Sequence, residues 1–234
     1  MTKAEALTIA KPILFNTEMV CAIQDGKKTV TRRVIKPRSK NAYGFFVTTK
    51  VSDGTFAGVY DFDEDENAFD NPQKEPYKVG DILYVRETWK QATCDPAGGG
   101  YALTDTYLYK ADCKTDSTIL AEDKWHPSIH MPKNAARIFL RVTDVRIEML
   151  QDIITDDYRT PANINAEGLY DTCLKCTHHN SDCKDFIREK KCKLVDSYIR
   201  LWNSTIKDFE HELYGWDANP WVRTVEFEKI EVTT

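Results

Sequence analysis

Asp25-Gly26-Lys27-Lys28-Thr29-Val30-Thr31-Arg32-Arg33 decides how the chain is read. Gly26 has no Cβ and can take the left-handed conformation that ends a helix, so a helix should stop here. The β-branched run that follows predicts a strand. Along an extended Thr29–Ile35, alternate side chains fall on opposite faces: Thr29, Thr31 and Arg33 share one, and Val30, Arg32 and Val34 share the other. Lys28 sits where helix passes to strand. Cations and hydroxyls gathered at such a corner can hold a phosphate, a carboxylate or an oxyanion.

Working outward, Pro12-Ile13-Leu14-Phe15 reads as a short buried strand. Asn16 or Thr17 then caps a helix with Met19, Val20 and Ile23 on one side. Residues 41–62 alternate around Ser52-Asp53-Gly54 and predict a hairpin. Gly80-Asp81 turns the chain into a strand over Ile82–Thr88, which puts Arg86 and Glu87 on opposite faces. Thr104–Ala111 has strand character, and Trp125–Pro132, held by two prolines, reads as a rigid loop. Arg137–Ile147 is the strongest strand, with a change of phase that predicts a bulge near Thr143-Asp144. Leu150–Tyr158 reads as a short helix leading to a loop that ends at Ala166-Glu167-Gly168, and apolar residues at helical spacing predict one amphipathic helix over Lys184–Ile206. The chain closes on a strand over Asn219–Glu228. Many strands, few helices and a last strand that must pair back predict an α+β domain built on a small curled sheet or barrel.

At 234 residues the chain is long enough for a real core, and 41% hydrophobic residues is ordinary for a globular protein. The net charge of -5 argues against a protein that coats nucleic acid non-specifically, because that binding needs broad phosphate neutralisation. A local basic pocket is compatible with it, since residues 27–40 are strongly basic while 61–66 form an acidic run that reads as a solvated loop. The first ten residues lack the apolar core of a signal peptide, and no window approaches the roughly 18 apolar residues of a membrane span. A cytoplasmic protein with no membrane partner is expected. No phosphate-loop pattern is present.

Several of these blocks together resemble the ASCH domain family, a group of PUA-like β-barrels. They are Gly26–Arg33 after a short amphipathic helix, Val79-Gly80-Asp81-Ile82-Leu83 before a strand, the Arg137–Ile147 strand, Ala166-Glu167-Gly168 and the closing Trp221–Phe227 strand. Pro12–Pro37, Tyr84–Trp89 and Pro127–Pro132 are similar to the longer ASCH proteins of bacteriophages and prophages. The resemblance implies a single domain over 1–234, with a hairpin insertion at 41–71 and a Cys-rich insertion at 172–193. It also implies a pocket for RNA or a modified nucleoside. In one branch of the family a lysine and a threonine of the G-x-K-T-x-T segment, with a later glutamate, hydrolyse the acetyl amide of N4-acetylcytidine. Carried over motif to motif, these roles fall on Lys28, Thr31 and Glu167, although the interval from Thr31 to Glu167 is far larger here, as insertions would make it.

The residue chemistry is compatible with that implication. A threonine hydroxyl attacks an amide only when a group in hydrogen-bond reach takes its proton. Burial and the neighbouring Lys27, Arg32 and Arg33 push Lys28 toward its neutral form, whereas Glu167 pushes the other way. Lys27 and Arg33 are candidate anion contacts. Arg86, Glu87, Trp89 and His130 are further candidate ligand contacts, the aromatics because bases stack on such rings. Each has a structural alternative: ion pairing for the charged groups, strand packing for Thr31, core packing for Trp89 and a satisfied histidine for His130. Three functions are open: recognition of RNA or a nucleoside, hydrolysis of that ligand as an amidohydrolase or ribonuclease, and a phage accessory role through a host protein.

Cys173-x-x-Cys176 with Cys183 and Cys192 forms the second constellation. Four thiolates would close the tetrahedral shell of a structural zinc, and free thiols are the other reading. No organic cofactor is expected.

Overall fold

The computed structural model describes residues 1–39, 41–52, 56–94, 102–112, 124–154, 159–169 and 193–233. Helix α1 (Lys3–Ile9) opens the chain; Thr2 and Glu5 cap it reciprocally, a short element that the sequence analysis did not anticipate. Strand β1 (Lys11–Leu14) leads into helix α2 (Thr17–Gln24). Asn16 caps α2 by accepting from Met19 N at 2.8 Å. At its other end Gly26 takes φ 69°. Gly26 N donates to Ile23 O (3.1 Å) and Lys27 N to Ala22 O (2.8 Å), the paired bonds of a left-handed helix stop. Strand β2 (Val30–Val34) follows, as the opening stretch predicts.

Strands β3 (Gly44–Thr49) and β4 (Phe56–Phe62) form the expected hairpin as a two-stranded sheet of their own. Strand β5 (Ile82–Arg86) ends two residues earlier than expected. Strands β6 (Trp89–Cys94) and β7 (Ala102–Tyr109) make a second two-stranded sheet. Strand β8 (Phe139–Met149) carries the anticipated bulge, with a register shift between Val142 and Asp144. Over Leu150–Ile153 there is a single 3-10 turn in place of the expected helix, and helix α3 (Arg159–Ala166) lies where a loop is expected. Pro161 falls in the first turn of α3, where its missing N–H costs nothing. Helix α4 (Lys193–Thr205) matches the end of the long helix expected from Lys184; residues 184–192 lie outside the described residues. A short helix α5 (His211–Tyr214) precedes strand β9 (Trp221–Ile230).

The central sheet has the order β1-β5-β8-β9-β2, with β1 and β5 parallel and the other pairs antiparallel. The molecule is therefore α+β, but among the described residues the five strands do not close into a barrel. The two edges are joined by a side chain instead: Arg33 Nη2, on edge strand β2, donates to Leu14 O, on edge strand β1, at 2.6 Å. Curling brings the edges that near.

Apolar packing fills both faces. Ile13, Phe15, Val20, Ile23, Leu83, Val85, Leu140, Val142, Val225 and Phe227 join α2 to the sheet. On the opposite face Leu150, Ile153, Ile164, Tyr198, Trp202 and Val222 pack α3 and α4 against the end of the sheet. Leu140 is fully buried on β8, the middle strand. Replacing Leu140 by Ala should lower the unfolding free energy by about 2–5 kcal/mol in a urea titration; a loss below about 1 kcal/mol would mean that the strand order or the burial is wrong.

Candidate functional site

Lys28 is held where α2 stops. Its backbone N–H bonds Ala22 O at 3.0 Å, and it forms an isolated antiparallel bridge with Glu167, just beyond the last turn of α3. Gly168 follows at φ 94°, and a Cβ there would stand 2.9 Å from Ala22 Cβ and 3.3 Å from Lys28 Cβ. The absence of a side chain is what lets the two segments meet.

The ammonium is enclosed, with Lys28 2% and Glu167 7% exposed. Lys28 Nζ donates to Val30 O (2.7 Å), Glu167 O (3.0 Å) and Glu167 Oε2 (2.8 Å), which uses all three of its donors. Backbone bonds from Phe227 N to Thr29 O and from Ile35 N to Trp221 O show that odd-numbered residues of β2 face β9. Val30 O therefore points to the free edge, and Lys28 occupies an acceptor that an edge strand would otherwise present. Burial lowers the Lys28 pKa below the ordinary lysine value against the opposing pull of Glu167.

Arg32 completes the cluster from the other side of Glu167. Its Nη1 bonds Glu167 Oε1 at 2.9 Å and its Nε bonds Glu148 Oε1 at 2.9 Å. Glu148 also accepts from Thr224 Oγ1 (2.7 Å) and Arg146 Nε (2.8 Å). Arg146 goes on to Asp144 at 2.8 Å and to Glu226. The result is a line of alternating charge, Lys28, Glu167, Arg32, Glu148, Arg146, running across the sheet beneath α3 and α4. Tyr198 of α4 borders it; its phenol is buried with no hydrogen-bond partner among the described residues, and burial raises its pKa well above the ordinary tyrosine value.

Thr31 and Arg33 lie on the face opposite Arg32. Thr31 is 3% exposed, and its hydroxyl makes no hydrogen bond among the described residues. Arg33 is exposed, bonds Leu14 O and rests 5.6 Å from the Phe15 ring centroid; Lys28 Nζ stands 5.8 Å from the same centroid. Phe15 is thus bordered by two cations. Tyr77, half-buried nearby, donates its hydroxyl to Pro12 O at 2.8 Å.

The structure brings Lys28 and Glu167 together, with Arg33 and Thr31 on the adjoining strand. Lys27 lies outside this cluster, half-exposed and 3.5 Å from Asp25. The remaining candidates gather at the β5–β6 corner. Arg86 bonds Ile129 O, and Glu87 is enclosed by a two-pronged pair with Arg137, both contacts 2.9 Å. Trp89 meets His126 in a tilted ring contact, centroids 4.9 Å apart and 31° between planes, and His130 is exposed on a 3-10 turn. Glu87 is therefore a structural anion rather than a free contact. Sequence reasoning passed over Arg32, Glu148 and Arg146, although one signal was present: Arg32 alternates with Val30 and Val34, and a charge on an apolar face must find a buried partner.

Cys173, Cys176, Cys183 and Cys192, and the insertion at 172–193, lie outside the described residues. Among the described residues no group of three or more His, Cys, Asp or Glu side chains is placed to hold a metal. No described helix is long and apolar enough to cross a membrane. The chain matches no protein-family model, no curated protein and no solved structure.

Burial raises the affinity of Glu148 for a proton, but the Thr224 hydroxyl, Arg32 and Arg146 outweigh it and hold the carboxyl below the usual glutamate range. A carboxyl with a lowered folded pKa contributes stability above its unfolded pKa and loses it as pH falls through the folded value. The gap in unfolding free energy between the native chain and Glu148→Gln should be widest near about pH 7 and shrink toward about pH 3 in parallel urea titrations. A gap independent of pH would contradict the charged network.

Proposed function

We propose that the chain recognises RNA or a modified nucleoside at the α2–β2 corner, through an ASCH-like arrangement on a PUA-like sheet. The observation that carries this reading is the meeting of Lys28 with Glu167, residues far apart in sequence, at the start of a strand whose other face carries a buried threonine with an uncommitted hydroxyl and an exposed arginine. Two of these groups have bonding capacity that a ligand could use. Thr31 Oγ1 can donate one hydrogen bond and accept others, and Arg33 can pair with a phosphate by two parallel bonds if it leaves Leu14 O. Lys28 and Glu167 are instead fixed in place. An ammonium that already gives three hydrogen bonds has no donor left for a ligand and is poorly suited to taking a proton; it fixes the corner on which Thr31 and Arg33 stand.

A second reading has one observation in its favour. The uncommitted Thr31 hydroxyl is the atom that an amidohydrolase acting on N4-acetylcytidine would need as its nucleophile. It would attack the acetyl carbon, release cytidine and then lose acetate to water. Such a route requires Lys28 to give up at least one bond and become the base.

Thr31→Val keeps the shape of the side chain and breaks no hydrogen bond, so it should melt within a few degrees of the native chain. Measured by fluorescence titration with N4-acetylcytidine and with a single-stranded RNA octamer, it should weaken binding by about tenfold, near 1.4 kcal/mol. Arg33→Gln should weaken the octamer more than the nucleoside and lower the salt slope of RNA binding by about one. Unchanged binding of both probes by both variants would refute the recognition reading. Release of acetate by the native chain, absent in Thr31→Val, would replace it with the hydrolase.

A further inference from the structure

The β3–β4 hairpin carries aromatic rings that the core does not use. Cross-strand pairing sets Gly44 opposite Phe62, Phe46 opposite Tyr60 and Thr48 opposite Gly58, so Phe46, Tyr60 and Phe62 share one face. The tip of the Phe62 ring fills the space where a Gly44 Cβ would be, and Tyr60 leans over Gly58 in the same way. Both glycines let rings settle onto the sheet. Phe46 stacks on Tyr60 with centroids 5.8 Å apart and 16° between planes, and on Phe62 at 6.4 Å and 30°. Tyr43 extends the row to Phe62 at 6.3 Å. None of the four is buried; Phe46 is 38% and Tyr43 76% exposed. The other face, with Val59 and Asp61 buried, already packs inward.

The electrostatic setting identifies the partner. Lys50 is the one cation in the described part of 41–70, against the acidic run 61–66 and Asp70. The acidic turn grows directly from Phe62. Asp63 is spent in shaping it, accepting from Asp65 N (3.0 Å) and Asn67 N (2.8 Å). Glu64, Asp65 and Glu66 are exposed and make no ion pair among the described residues. Phosphates would be repelled here. A guanidinium, by contrast, is attracted by the field, stacks on ring faces and bonds carboxylates bidentately.

We propose that this hairpin face is a docking surface for an arginine-rich protein segment, with guanidinium groups over Tyr43 and Phe46 and paired to the acidic turn. It is independent of the α2–β2 corner. The test uses the full chain and fluorescence anisotropy with a labelled peptide of four Arg-Gly-Ser repeats, its Lys-Gly-Ser counterpart and a labelled oligouridine. The arginine peptide should bind more tightly than the lysine peptide. Its Kd should rise about tenfold in a Tyr43→Ser/Phe46→Ser variant, and also in a Glu64→Gln/Asp65→Asn/Glu66→Gln variant, which leaves the rings in place and guards against misfolding of the first. No arginine preference, or an affinity unchanged in either variant, would overturn the proposal. So would loss of oligouridine binding in the ring variant with peptide binding intact, which would make the face a base-stacking platform.

Discussion

One lysine ammonium, enclosed by three oxygen acceptors, sets how the end of α3 sits against the α2–β2 corner. Lys28 belongs to the α2–β2 corner and Glu167 to the end of α3, and the three donors of Nζ tie the corner, the free edge of β2 and the α3 terminus together. Removing two charges from water costs several kcal/mol per ion, so the pair adds little to stability relative to apolar packing of the same volume. Its physical consequence is registration. Only one placement of α3 satisfies Lys28 and Arg32 at once, because the two oxygens of Glu167 are divided between them. Gly168 then has to pass within contact of Ala22, which its missing Cβ permits.

From that constraint the two sides of β2 acquire different roles. One carries Arg32 into the line of alternating charges beneath α3 and α4, where every cation faces a carboxylate. The other carries Thr31 and Arg33 toward Phe15 and the β1 edge. The structural charges are spent on the first side, and groups with bonding capacity to spare lie on the second. The proposed ligand reading rests on that division: fixed charges on one side of the strand, an uncommitted hydroxyl and an exposed guanidinium on the other.

Much of this was legible because local rules acted alone. Gly26 demands a helix stop, the β-branched run after it demands a strand, and Ser52-Asp53-Gly54 between alternating segments demands a hairpin. The phase change near Thr143-Asp144 appeared in the pattern and in the register. What failed to show was decided by tertiary packing. Helix α3 is polar and carries Pro161, so its periodicity is faint, and Ile164 is its fully buried apolar anchor. Glu87 reads as a candidate ligand contact because its bidentate partner fifty positions away, Arg137, is invisible to spacing. Arg32 is a different case: the alternation places it on the Val30 face, where its partners Glu148 and Glu167 come from distant segments. A charge alternating with valines was the better clue to the buried network.

Lys28 is a buried, carboxylate-paired ammonium, and the proposed ligand site is built on the corner it fixes. Nitrogen-detected NMR of the lysine side chains reads this directly, comparing the free chain with the chain saturated in N4-acetylcytidine or the RNA octamer. The account predicts one slowly exchanging ammonium, assigned to Lys28 by its loss in Lys28→Arg, that titrates below the ordinary lysine range and shifts on ligand addition. A Lys28 resonance that exchanges and titrates like a surface lysine, or that neither ligand moves, would contradict it.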